Sequence, residues 1–139
     1  MNGRKIGLTA LIFATFWTLA GCGGLRWNLT AEPAYSQSRE ASKLTFFYFR
    51  SWASVACTRF EDQALSDPAV EAALAEMTPI KLDIIADRAL AGTFGVTKPP
   101  AIVIANPAGK ALVTREGEMT KEEVLAAIDE ARSGAPRGQ

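Results

Sequence analysis

From Leu44 to Phe49 the chain reads Leu-Thr-Phe-Phe-Tyr-Phe, so that both alternating faces of an extended segment are apolar. That pattern predicts a strand buried on two sides, central in its sheet. Residues 57–65 have helical character, and Ser66-Asp67-Pro68 then supplies a cap and a first-turn proline for a second helical segment through Met77. Its apolar stripe is Val70, Ala73, Leu74 and Met77. Ile80 to Ile85 reads as a strand, Asp87 to Phe94 as a short helix, and Ala101 to Ala105 as a strand that follows two prolines. Asn106-Pro107-Ala108-Gly109 is a turn, which brings Lys110 to Arg115 back as a hairpin partner. Thr120 and Glu123 form a capping box before Val124, Leu125, Ile128 and Ala131, which recur at helical spacing. A βαβ unit, a hairpin and a closing helix predict an α/β domain over residues 43–132, with a central mixed sheet and helices on both faces.

Residues 22–42 are small and polar without a sustained period and read as a flexible linker; Trp27 and Tyr35 are its isolated aromatics. Residues 133–139 read as a disordered tail. At the other extreme, Arg4 and Lys5 precede an almost uncharged stretch from Ile6 to Ala20, the order of a secretory signal over residues 1–21. A membrane-spanning helix needs roughly 20 predominantly apolar residues, more than this run supplies. Leu19-Ala20-Gly21-Cys22 resembles the bacterial lipobox, whose cysteine is lipidated before the peptide is cut in front of it. The resemblance implies that Cys22 carries fatty acyl chains, palmitate among them, and holds an exported protein on a bacterial membrane, facing the periplasm.

The chain has 15 basic and 15 acidic residues, and removing Arg4 and Lys5 leaves it slightly acidic. Nucleic acid is therefore a poor partner, because phosphate binding demands a basic surface. With no histidine, triad and imidazole acid–base chemistry are excluded and the commonest zinc or copper ligand is missing. Neither a metal nor a cofactor is expected. Lipidation would consume one of the two cysteines, leaving Cys57 as the single free thiol.

The order of elements is that of the thioredoxin fold. Val55-Ala56-Cys57-Thr58-Arg59-Phe60-Glu61, with Leu65-Ser66-Asp67-Pro68-Ala69-Val70 and Ala73-Leu74, resembles the C-terminal thioredoxin-like domain of DsbD-type disulfide interchange proteins. Phe94-Gly95-Val96-Thr97-Lys98-Pro99-Pro100-Ala101 resembles the segment leading to the cis-proline of that fold, which makes Pro100 the cis residue. The resemblance spans about Lys43 to Ala131. In that family a Trp-Cys-x-x-Cys motif opens the first long helix; with Cys57 on its second cysteine, the first, attacking one falls on Ser54. The motif here is Ser54-Val55-Ala56-Cys57, the family tryptophan is Ala53 with Trp52 beside it, and a buried acid of many relatives falls near Tyr48.

A serine hydroxyl hardly ionises near neutral pH and cannot form a disulfide, so Ser54 cannot replace a thiol at a helix N-terminus. Capping the helix is its simpler role. One turn inside, Cys57 behaves as a small buried hydrophobe in the bland reading and as a lone reactive thiol in the sharper one. Relatives bind extended peptides on the backbone just before the cis-proline, but Pro99 has a carbonyl and no N–H to offer there. Together these features predict a non-catalytic binding module for an exported protein partner, with Trp52, Pro99 and Pro100 at its face. The alternative is an oxidoreductase or redox sensor acting through Cys57 alone.

Overall fold

Residues 24–134 are described by the structure, a computed structural model. The signal segment, Cys22 and the tail from residue 135 lie outside the described residues. Strand β1 (Thr45–Arg50) is buried along its whole length, as its unbroken apolar run requires. On one side it pairs in parallel with β2 (Thr78–Asp83), Thr45 opposite Thr78, and on the other antiparallel with β3 (Ala101–Ala105), Thr45 opposite Ala105. Strand β4 (Ala111–Glu116) closes the order β2-β1-β3-β4. Successive side chains of β1 point to opposite faces. Phe46 and Tyr48 join Ile102, Ile104 and Val113 in one core cluster, while Phe47 and Phe49 join Ile80, Leu82 and Val103 in the other. Full burial of each such side chain contributes about 1.5–3 kcal/mol, so β1 is the main support of both layers.

The first cluster is covered by α2 (Val55–Phe60), α3 (Pro68–Ala75) and α5 (Lys121–Ser133) through Phe60, Val70, Leu74, Val124 and Ile128. Helix α2 runs on into a π-helical turn, Glu61–Leu65, in which the Ser66 N–H reaches back to the Glu61 carbonyl at 2.9 Å. Asp67 caps α3, its Oδ1 accepting from the Ala69 N–H at 2.9 Å. The helix stops two residues before the predicted Met77, because Thr78 already donates to the Leu44 carbonyl and opens β2. The capping box of α5 is present in both directions, Glu123 N–H to Thr120 Oγ1 and Thr120 N–H to Glu123 Oε2. Ser133, read from sequence as the start of the tail, is the last residue of α5; Gly134 follows in the left-handed conformation (φ 62°) that ends many helices.

The linker reading of residues 22–42 does not hold for most of that segment. Asn28 pairs with the outer edge of β2, donating its N–H to Pro79 O at 3.0 Å and accepting from Lys81 N–H at 2.8 Å. Ala31–Glu40 forms a helix, α1, that covers the second core cluster beside α4 (Arg88–Thr93). Its buried stripe is Ala34 and Ser38, spaced by one helical turn. A hydrophobic period is missing because Ser38 fills a core position: its hydroxyl donates to Lys43 O at 2.8 Å and accepts from Thr45 Oγ1 at 2.7 Å. Satisfied in this way, a buried serine costs little.

Candidate functional site

The loop leaving β1 turns at Ser51–Ser54 and enters α2, whose N-cap is Ser54. Ser54 Oγ accepts from the Cys57 N–H at 3.3 Å, so the serine at the position of the family's first cysteine is engaged as a cap. Cys57 is fully buried, and its Sγ accepts from the Ser51 N–H at 3.4 Å. Among the described residues Cys57 is the single thiol at this helix end, whereas nucleophilic attack followed by resolution of a mixed disulfide needs two.

Beneath the helix lies a polar cluster. The Tyr48 hydroxyl sits 3.1 Å from Glu61 Oε1 and 3.4 Å from the Cys57 carbonyl oxygen; its single proton goes to the nearer, charged acceptor. Glu61 also meets Lys81 Nζ at 3.2 Å and Arg50 Nε at 3.1 Å, the latter an ion-pair distance without the alignment of a hydrogen bond. Burial, then the Glu61 charge and Cys57 next to it, push the Tyr48 phenol far above its ordinary value and keep it neutral. The Arg50 guanidinium continues outward and lies over the Trp52 ring, 3.8 Å from its centroid. One indole face is thus covered by the cation, while Trp52 as a whole remains 74% exposed. Lys81 in turn approaches the ring of Trp27 at 5.0 Å.

The second loop of the site comes from β3. Phe49 pairs with Ala101, which places Pro99–Pro100 at the same end of the sheet as Ser51–Ser54. The Pro99–Pro100 peptide bond is cis, as the family resemblance implies. Pro100 is buried and its carbonyl accepts from Gly117 N–H at 2.7 Å; Pro99 is half-buried. Glu116, at the end of β4, holds the approach to this turn: its Oε1 accepts from the N–H groups of Thr97 (2.5 Å) and Lys98 (3.0 Å). Those two amide bonds lower the Glu116 carboxyl below its ordinary value. Asp83 accepts from Ile85 and Ala86 N–H and shapes the loop after β2, while Arg59 pairs with Glu118 at the surface.

Sequence reasoning therefore located Ser54, Cys57, Trp52, Pro99 and Pro100 at one end of the sheet, and the structure brings them to that end. Glu61, Arg50 and Lys81 were missed as a group. Signals existed: Glu61 follows Cys57 by four residues, on the same helix face, and Lys81 breaks an apolar strand between Ile80 and Leu82. Trp52, Val55 and Ile85 are 74%, 73% and 71% exposed, an apolar set at the same end. No group of three or more His, Cys, Asp or Glu able to hold a metal occurs among the described residues, and none of their helices is long and apolar enough to cross a membrane.

This sheet, helix order and cis-proline define a thioredoxin-like fold. Among solved structures the chain is similar to a thioredoxin from Thermus thermophilus, with a TM-score of 0.68 and 21% identity over 79% of this chain and 88% of that one. It is also similar to the oxidised DsbD C-terminal domain of Neisseria meningitidis (TM-score 0.63, 15% identity, 79% of this chain and all of that one). A structure described as DsbH oxidoreductase matches more of the sequence, 96% of this chain and 94% of that one, at 19% identity and a TM-score of 0.61. No protein-family model and no curated protein matches the chain.

Proposed function

We propose that this protein is an exported lipoprotein whose thioredoxin-like domain binds a protein partner without dithiol catalysis. The observation that carries this reading is the exchange of exposure at the N-terminus of α2. The sulfur is fully buried and the attacking position is a capping serine, while the adjoining Trp52, Val55 and Ile85 stand in solvent. Exposed tryptophans supported from one side are the residue type that dominates protein interfaces. Export is in keeping with the DsbD-like and DsbH-like resemblance, and anchoring rests on the lipobox ending at Cys22. Two measurements test the proposal. The full chain reduces insulin disulfides no faster than the uncatalysed control; turnover would move the function to Cys57 alone. Expressed in bacteria, it incorporates labelled fatty acid and sediments with membranes, and Cys22→Ala loses both; retention in that variant would overturn the anchor.

A further inference from the structure

The two ends of the sheet differ in charge, and the N-terminal segment is bound to one of them. The register places residues that precede Thr45 and Thr78, follow Ala105 or precede Ala111 at the end opposite Trp52. Lys43 and Lys110 belong to this end, as does Arg39 in the last turn of α1. Arg26 joins them, because Asn28 runs parallel to β2 opposite Ile80 and the residues before it lie towards the Thr78 end. All four cations are exposed, and none has an ion pair among the described residues. Glu32, beside Ala108 and Gly109 of the β3–β4 turn, and Glu40 are the nearby acids without an ion pair among the described residues, and Glu76 is tied to Arg132 at 2.8 Å. At the Trp52 end the balance reverses, with Asp83, Asp87, Glu116, Glu118 and Glu122 against Arg59, Arg88 and Lys98.

The leash is also short. Leu25 and Trp27 pack against the core, so docking begins three residues after Cys22. Three extended residues span about 10 Å. A 20-residue tether would let an anchored domain turn freely above a bilayer, whereas three residues would keep its basic end near the headgroups.

We propose that this end, through Arg26, Arg39, Lys43 and Lys110, is a docking surface for an anionic bilayer that points the Trp52 face away from the membrane. The proposal rests on the anchored reading of Cys22. Each basic residue held near an anionic surface strengthens the association about fivefold, an effect that salt screens.

The test uses the full chain purified in its processed form from bacterial membranes and reconstituted into vesicles. An environment-sensitive nitrobenzoxadiazole probe is attached at Ala41→Cys, beside the basic end, or at Ala86→Cys, at the Trp52 end. On vesicles containing phosphatidylglycerol the Ala41 probe shifts to the blue and the Ala86 probe does not. The shift disappears in 0.5 M salt and when Arg26, Arg39, Lys43 and Lys110 are all replaced by Gln, with the far-UV spectrum unchanged. Equal shifts at both positions, or the same Ala41 shift on pure phosphatidylcholine, would overturn the proposal. The mass of the N-terminal peptide reports separately on the acyl group. If the peptide is unacylated, the anchor alone fails, and the same two probes on phosphatidylglycerol vesicles still decide the docking.

Discussion

Replacing Glu61 by Gln keeps the shape of the side chain and removes the charge that holds the polar cluster beneath α2 together. The carboxylate answers Lys81 at 3.2 Å, Arg50 at 3.1 Å and the Tyr48 hydroxyl at 3.1 Å. Removing one partner of a fully buried ion pair costs about 3–5 kcal/mol, because the opposite charge stays buried without compensation. Here the side chains of Glu61 and Lys81 keep 20% and 19% of their exposure, and Arg50 retains its contact with Trp52, so solvent screens part of that loss. The expected destabilisation is about 2–3 kcal/mol, which for a domain of this size lowers Tm by roughly 10 °C. Lys81→Met leaves Glu61 with Arg50 and Tyr48 and should cost about 1 kcal/mol. The double variant should cost less than the sum, since the second change removes a charge that the first has stranded. Urea denaturation followed by circular dichroism gives all three values. If Glu61→Gln is within about 0.5 kcal/mol of the parent, or Lys81→Met is the more harmful change, the cluster does not support the helix as described.

Ser54→Cys should form an intramolecular disulfide with Cys57 on mild oxidation, because the two positions are one helical turn apart; two free thiols remaining in the oxidised protein by mass spectrometry would contradict the placement. Glu116 titrates lower in the folded chain than unfolded, so its contribution is complete above the ordinary carboxylate value of about 4.3 and is lost as pH falls through the lower folded value. The fall in urea midpoint below pH 5 should therefore be shallower in Glu116→Gln, and an unchanged acid limb would remove the carboxylate from that role. Gly109→Ala should destabilise by about 2 kcal/mol, because φ is 88° there and a Cβ would strike the Tyr35 hydroxyl. Tyr35→Phe should recover part of that loss, and a neutral Gly109→Ala would separate α1 from the β3–β4 turn.

Where the side chains that decide an element are apolar or are capping residues, the sequence was readable. The four aromatics of β1, the Asp67 cap with Pro68, and the Thr120–Glu123 box all appear where their chemistry predicts. Helix α1 escaped notice because hydrogen bonding, rather than hydrophobicity, lets Ser38 occupy the core, and periodicity counts a serine as polar. The same limit applies at the site. Ser54 and Cys57 lie three residues apart and were located from the resemblance to the DsbD-type motif. Glu61, Arg50 and Lys81 come from a helix and two strands, and their charges meet only after β1 and β2 pair with Tyr48 beside Lys81.

The cluster also bears on what this end of the sheet can do. A thiol becomes a nucleophile when a nearby base or positive charge is free to stabilise thiolate. Here Glu61 pairs with both cations and accepts a hydrogen bond from the neutral Tyr48 phenol, and the outermost cation, Arg50, leans on Trp52 instead of on the sulfur. Arg50 meets Glu61 as an ion pair without a hydrogen bond from its Nε, and its guanidinium lies over the Trp52 ring, so the charge beneath α2 acts on the position of the indole. A tryptophan held by a cation on one face loses little conformational freedom when a partner covers the other. On the proposed reading, binding through Trp52 would draw on Arg50 and, through it, on Glu61. Weaker partner binding by Glu61→Gln than by Cys57→Ala would follow from that arrangement, because only the first releases Arg50.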